Sequence, residues 1–430
     1  MKLKLPYLTT SLETDLLTTF GLSPLWWLLG LNVFVYQFAV MWIFSKMMFQ
    51  HMRTSRILVL PKLAFYPVLV TLTLGASLLL NIGQNDATRS LAALYNLSFW
   101  IMGILLIIAA YNSFTERFLR SCIDVSEALI VTIGILSFFA LIFWLRGISN
   151  MEMKTPLLQA LPWFERIVLL KSSTTARLIS SDWFAGGFRP RVFVLSPYPT
   201  ALAALLIMLL PLYVIGSSAG KIRKWMVGAL GAGALLLTLS RTAILALIVG
   251  STAVFVLNRR HRWGLLIGLL IIFILVWPFL MMSFDEIGDV RKGSTAFRQE
   301  MYSYTIETVM RSSPIIGIGI KPREDYLAIP LGSHSMYLSI LLRSGILGVM
   351  AFIAFQVNIV IVWFRGTRKS MTPQLRSFWT AVGIALFSMC LWMATEDLDA
   401  PQLVAFVYFL FVGILAMLSR TLRKTEFESV

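Results

Sequence analysis

Three ionisable side chains stand at the edges of long apolar runs: Arg241, Arg298 and His334. Arg241 is the centre of a Ser-Arg-Thr break between two apolar segments, 225–240 and 242–257. A guanidinium in lipid is costly, so Arg241 either snorkels to the interface or faces protein or a water-filled cavity. In a cavity it would suit phosphate, because the guanidinium keeps its charge and forms paired hydrogen bonds to phosphate oxygens. Arg298 lies in a polar stretch whose pattern predicts a helix over 297–310. Arg298, Met301, Tyr302 and Thr305 fall on one face of it at i, i+3, i+4 and i+7. A solvated surface arginine and a second phosphate ligand are its two readings. His334 opens the apolar run 335–364. In a first helical turn the dipole disfavours imidazolium and leaves the neutral ring that a general base needs. A capping or interfacial histidine is the alternative. Arg343 sits inside the same run, followed by Ser344-Gly345. As one helix that run would be about 45 Å long, against a bilayer core of about 30 Å. The helix must therefore project outward or break near Arg343. Both options bring Arg343 to an interface, as a charged wall of a site or in an ion pair with an acidic loop.

The elements that must position these residues are membrane spans. The chain has 430 residues, 58% hydrophobic and 13% charged, with a mean hydropathy of +0.79. A soluble domain is about 25% charged. The net charge of +16 is then read as basic loops that orient the spans, not as a nucleic-acid surface. Eleven apolar runs (a range of 10–12) are expected as transmembrane helices: 25–45, 57–82, 90–111, 124–145, 192–215, 225–240, 242–257, 263–283, 335–364, 377–394 and 401–418. The fold class is all-α, a single integral membrane domain over 1–430. Residues 5–20, interrupted by Glu13 and Asp15, read as an interfacial segment, and no removable signal peptide is seen.

Basic clusters follow alternate spans, at Lys46–Lys62, Arg117–Arg120, Lys221–Lys224, Arg259–Arg262, Arg365–Arg376 and Arg420–Lys424. The positive-inside rule places them in the cytoplasm. Two long loops, 146–191 and 284–334, are then extracytoplasmic, together with Arg241 and the acidic string Thr395-Glu396-Asp397-Leu398-Asp399. The first loop contains an amphipathic surface-helix pattern from Leu157, then Arg177, Arg189 and Arg191 before a Ser-Pro-Tyr-Pro approach to the next span. In the second loop Pro314 should stop the helix, with Gly317 and Gly319 making a tight segment. The Gly/Ala run 228–234 suggests close helix packing.

Other chemistries leave no trace. P-loop, dinucleotide and Asp-x-Asp patterns are missing, and so is any Cys/His cluster. Cys122 and Cys390 are assigned to different depths, which argues against a disulfide. His51 and His261 lie in basic loops. Asp285, Glu286 and Asp289 could bind a cation but read more simply as a solvated loop. The expected reaction uses neither nucleotide, metal nor other cofactor.

Three segments together resemble the O-antigen ligase and polymerase superfamily: LSRTAILAL at 239–247, FRQEMYSYTIETVMRSSPIIGIGI at 297–320, and HSMYLSILLRSGILG at 334–348. The approach at 186–206 is similar as well. Two positions depart from the pattern: Ser335 stands where Asn is frequent, and Arg343 where an acid is frequent. The resemblance implies a GT-C-like, inverting membrane glycosyltransferase of the bacterial cytoplasmic membrane, with its site facing the periplasm or cell exterior. Its donor would be a polyprenyl-pyrophosphate-linked oligosaccharide and its acceptor a glycan hydroxyl. Arg241 and Arg298 would hold the pyrophosphate and His334 would take the acceptor proton. Arg189, Arg191, Tyr302, Tyr337 and Arg343 would contribute to substrate binding. A polymerase of surface polysaccharide is the leading expectation, working beside a flippase or chain-length regulator. A ligase acting on lipid A core or protein is the near alternative, and a transporter of polysaccharide or lipid-linked oligosaccharide the remote one. Charges gathered at one end of the spans, with long loops on one side, favour an enzyme over a transporter.

Overall fold

A computed structural model describes residues 6–55, 57–84, 87–181, 189–258, 292–322, 330–369, 371–399 and 402–428. Among these, helices dominate: α1 Pro6–Gly21, α2 Ser23–Leu29, α3 Val35–Thr54, α4 Lys62–Asn81, α5 Ala87–Ser113, α6 Glu116–Leu145, α7 Pro156–Ala160, α8 Val168–Ser173, α9 Pro199–Gly216, α10 Lys221–Leu237, α11 Arg241–Leu257, α12 Lys292–Ser312, α13 Met336–Thr367, α14 Pro373–Trp392 and α15 Gln402–Glu428. Seven of them, α4, α5, α6, α9, α13, α14 and the 402–422 part of α15, are long and apolar enough to cross a membrane, and α11 is a shorter apolar helix. The chain is thus an all-α polytopic membrane protein. The expected span at 263–283 and the acids Asp285, Glu286 and Asp289 lie outside the described residues.

α9 and the 402–418 part of α15 are apolar on every face and buried almost throughout, which makes them the centre of the bundle. α5 packs on α15, α14 on α9 and α11, and α4 on α13. Small residues allow the closest approaches. Gly231 of α10 admits Leu210 and Ile130, as the Gly/Ala run suggests, and Gly250 of α11 lies against Ser388 of α14.

The first expected span, 25–45, is corrected to a helical hairpin. The chain ascends through α1 and α2, turns at Gly30 in a left-handed conformation (φ 79°), and descends through α3. Asp15 pairs with Lys46 at 2.6 Å and Tyr36 Oη donates to Ser23 Oγ at 3.1 Å, so the two limbs are antiparallel. The described part of segment 5–20 is therefore packed rather than interfacial: Leu12, Leu16 and Phe20 are fully buried. Its charges are absorbed locally, since Glu13 also accepts from the Thr115 backbone N–H at 2.7 Å.

The first long loop is not one surface helix. Leu157–Leu170 is divided among α7, a 3₁₀ turn and α8, with Leu158 and Phe164 buried. It is joined to an unforeseen antiparallel sheet, β1 Met151–Lys154, β2 Thr175–Ser181 and β3 Pro190–Val192, in that order. Cys122, expected in a loop, is buried in α6, and neither it nor Cys390 forms a disulfide. As the prolines imply, α9 starts at Pro199.

α13 does break. Gly345 leaves the helical region at φ 64°, ψ −163°. Backbone groups freed inside a membrane must find partners, and here the Pro314–Gly319 segment supplies them. Ile346 and Leu347 N–H donate to the carbonyls of Pro314 and Ile315, while Ile318 and Gly319 N–H donate to those of Leu342 and Arg343, at 2.9–3.3 Å. A side chain at Gly345 would put its Cβ 2.2 Å from the Ile315 oxygen, so glycine is required there. The Pro-x-x-Gly-x-Gly segment and the Arg343-Ser-Gly break are thus two halves of one structure.

Candidate functional site

Arg298 and His334 converge on a carboxylate, Glu396, in the turn between α14 and α15. Arg298 Nη2 lies 2.7 Å from Glu396 Oε1, and Arg298 Nη1 donates to the Thr395 carbonyl at 3.4 Å. His334 Nδ1 is 3.6 Å from Oε2, within ion-pair range but longer than a direct hydrogen bond. Thr200 Oγ1, in the first turn of α9, donates to the same Oε2 at 3.2 Å. The carboxylate is buried, whereas Arg298 and His334 keep 24% and 31% side-chain exposure, so a ligand can reach both. Burial alone would raise the pKa of Glu396. The Arg298 charge and the contacts from His334 and Arg298 outweigh it and hold the group down to about 2, so Glu396 is an anion at any physiological pH.

The position of His334 departs from expectation. It does not lie in the first turn of α13: Ser335 is the N-cap and accepts from Leu338 N–H, and the helix starts at Met336. His334 has a left-handed backbone (φ 65°). Its carbonyl accepts from Tyr302 Oη at 2.6 Å, and Met336 N–H reaches back to the carbonyls of Met393 and Glu396. The dipole argument therefore does not apply, and what the ring faces instead, on its Nδ1 side, is the Glu396 carboxylate. α12 runs from Lys292, longer than expected, and buries Met301 and Thr305 while presenting Arg298 and Tyr302 to the site.

Arg241 is the first residue of α11 and half-buried. α11 runs antiparallel to α14, with Gly250 against Ser388 and Asn258 Nδ2 donating to Thr380 Oγ1 at 3.5 Å. Extending that register places Arg241 level with the Glu396 turn. Arg191 joins it there, its Nε donating to the Thr238 carbonyl at 3.3 Å, while Arg189 is exposed at the start of β3. Two predicted substrate contacts turn elsewhere. Tyr337 faces the bundle, with its Oη donating to the Cys390 carbonyl at 3.4 Å and its ring on Phe352. Arg343 is 2% exposed and pairs with Asp399, which is the ion-pair alternative for this residue.

Glu396 and Thr200 are the residues that sequence reasoning missed. The acidic string at 395–399 is plain in the sequence, but nothing local ties Glu396 to Arg298 or His334. Among the described residues no group of three acidic, Cys or His side chains is arranged to hold a metal ion.

The basic clusters that are described gather at the opposite end of the bundle. There Arg420 Nη2 donates to the Phe114 carbonyl at 3.3 Å, and Arg120 reaches Gln374 at 3.5 Å. Residues 226–353 match the family model described as O-antigen ligase, a stretch that contains Arg241, Arg298, His334 and Arg343 and stops short of Glu396. No curated protein matches the chain. The family match, over less than a third of the chain, supports a membrane enzyme of the O-antigen ligase and polymerase class.

Proposed function

We propose that the chain is a polymerase of cell-surface polysaccharide, transferring glycan from a polyprenyl-pyrophosphate donor to an acceptor sugar hydroxyl at the outer face of the cytoplasmic membrane. The observation that carries this reading is the convergence of Arg298 and His334 on one buried carboxylate at the end of the bundle away from the basic clusters. Glu396 would hold the Nδ1–H tautomer and leave Nε2 free as an acceptor, the role a carboxylate plays for a catalytic imidazole elsewhere. The acceptor oxygen attacks the anomeric carbon as its proton passes to Nε2. The bond from that carbon to the pyrophosphate oxygen breaks, and the electron pair leaves with the polyprenyl pyrophosphate. Arg298 and Arg241 neutralise the charge that develops on the leaving group. A single displacement inverts the anomeric centre. Arg191 and Arg189 add positive potential on the approach, and Tyr302 steadies the His334 backbone.

The test is reconstitution of the purified protein in vesicles with one lipid-linked repeat unit. Chain growth is expected, and it should vanish in Arg241→Ala, Arg298→Ala and His334→Ala. Polymer retained in all three variants would overturn the site assignment. Transfer that needs a second acceptor, with no growth on the repeat alone, would convert the reading to a ligase.

A further inference from the structure

Near the Arg298–Glu396–His334 cluster lies a second layer of charge, carried by the segment after α12, by α13 and by the turn that holds Glu396. Lys321, on the segment that follows α12, pairs with Asp397 and lies 3.9 Å from Asp399. Arg343, on α13, pairs with Asp399 and braces itself on Ser339, with Nη2 donating to Oγ at 3.0 Å and Nε to the carbonyl at 3.2 Å. Asp397 and Asp399 belong to the turn that carries Glu396, and Asp397 Oδ1 accepts from the Asp399 N–H at 3.1 Å. The segment continuing from the Arg298 helix, the helix that follows His334 and the turn that carries Glu396 therefore each bear a partner in this layer.

Burial makes the arrangement informative. The Arg343 and Asp399 side chains are 2% and 4% exposed. Removing such ions from water costs several kcal/mol each, and a well-packed apolar pair of similar volume is commonly as stable or more so. Stability alone does not call for ions here. What an ion pair adds is register: it fixes one element against another at a single setting, which apolar contacts do loosely. The setting fixed here is that of the Pro314–Gly319 segment, the Gly345 break and the 395–399 turn. These three meet through the four backbone hydrogen bonds at the break and through the Met336 N–H to the Met393 and Glu396 carbonyls.

We propose that Lys321–Asp397 and Arg343–Asp399 form a positioning clamp that sets Arg298, His334 and Glu396 at reacting distance from one another. These four are positioning residues: all are far less exposed than Arg298 and His334, and their charges are spent on one another. The proposal rests on the polymerase reading of the Arg298–His334 site. A misplacement of about 1 Å can cost roughly a hundredfold in rate, so loosening the clamp should lower kcat far more than donor KM.

The experiment replaces the inner pair by apolar residues, Arg343→Met with Asp399→Leu. In purified vesicle-reconstituted protein, the double variant should keep a thermal unfolding midpoint close to the parent and lose at least tenfold in kcat, with donor KM within about threefold. Parent-like kcat in the folded double variant would overturn the proposal. Should that variant fail to fold, the outer pair decides. Lys321→Gln should lower kcat without moving KM and Lys321→Arg should restore it, whereas parent-like kcat in Lys321→Gln would overturn the clamp. A parent enzyme inactive on lipid-pyrophosphate glycan would instead sink the polymerase reading, so the two failures are distinguishable.

Discussion

Replacing Glu396 by Gln removes one charge and almost no volume, which makes it the sharpest probe of the site. The carboxyl sits at about 2 against an ordinary 4.5, a preference for the anion worth about 3 kcal/mol at 1.36 kcal/mol per unit. Arg298 and His334 are a quarter to a third exposed, so solvent screening leaves roughly 1–2 kcal/mol of this as stability. Because the folded-state pKa is depressed, that contribution is complete above pH 4.5 and is lost as the pH falls towards about 2. Thermal unfolding in detergent should therefore separate parent from Glu396→Gln at pH 7 and narrow the gap steadily below pH 4.5, closing it only near pH 2. Kinetically the two contacts pull apart. Arg298 loses its competing anion, so donor KM should fall several-fold. His334 loses the group on its Nδ1 side, so kcat should fall about 10–100-fold, the usual cost of losing the partner that orients a functional imidazole. Steady-state assays with a lipid-linked repeat measure both. An unchanged kcat with an unchanged KM would refute the assignment of Glu396 to the chemistry.

Further substitutions test other contacts. Arg298→Lys keeps the charge but not the fork, and should lose at least tenfold in kcat/KM if the guanidinium binds phosphate in paired fashion; parent-like kinetics would mean that charge alone suffices. Tyr302→Phe deletes the hydrogen bond to the His334 carbonyl, 2.6 Å long. It should cost about 1 kcal/mol of stability and several-fold in kcat, read by unfolding and turnover. Gly345→Ala forces a Cβ to within 2.2 Å of the Ile315 oxygen at φ 64°. It should destabilise by more than about 2 kcal/mol, and a thermal midpoint equal to the parent would show that the break can relax.

Much of this architecture is legible from local signals. Ser240-Arg241-Thr242 interrupts an apolar run too long for one span, and the chain turns there. Pro314, Gly317 and Gly319 mark a segment that cannot be helical, and Arg343-Ser344-Gly345 marks the break it fills. That the two join is not legible, because the four hydrogen bonds between them link positions about 30 residues apart. The N-terminal hairpin was hidden for a related reason. Glu13 and Asp15 lower the hydropathy of 5–20, and only their tertiary partners, Thr115 N–H and Lys46, show why they are tolerated. Glu396 is the clearest case. An acidic string between two spans has an immediate topological meaning, and its chemical meaning exists only once Arg298, His334 and Thr200 are brought around it.

The backbone at this end is strained in a consistent way. Leu195, Leu239 and His334 are non-glycine residues at φ 60°, 54° and 65°, each costing about 1–2 kcal/mol. Each stands within a few residues of a helix start, before α9, α11 and α13 respectively. Strain of this kind persists only where the surroundings over-determine it, and its repetition shows what is being enforced. Each sharp turn aims a helix N-terminus at the same end of the bundle: α9 through Thr200, α11 through Arg241 and α13 through the residues after His334. Three positive dipole ends then add to Arg241 and Arg298, an electrostatic surplus that Glu396, Asp397 and Asp399 restrain in the free protein. On the proposed reading, a pyrophosphate at Arg298 would meet a field already built for it and would compete with Glu396 for the guanidinium. Irregular backbone inside a membrane protein is tolerated where it is buried in protein or lines a polar cavity, and here that tolerance is used to turn three helices towards one end of the bundle.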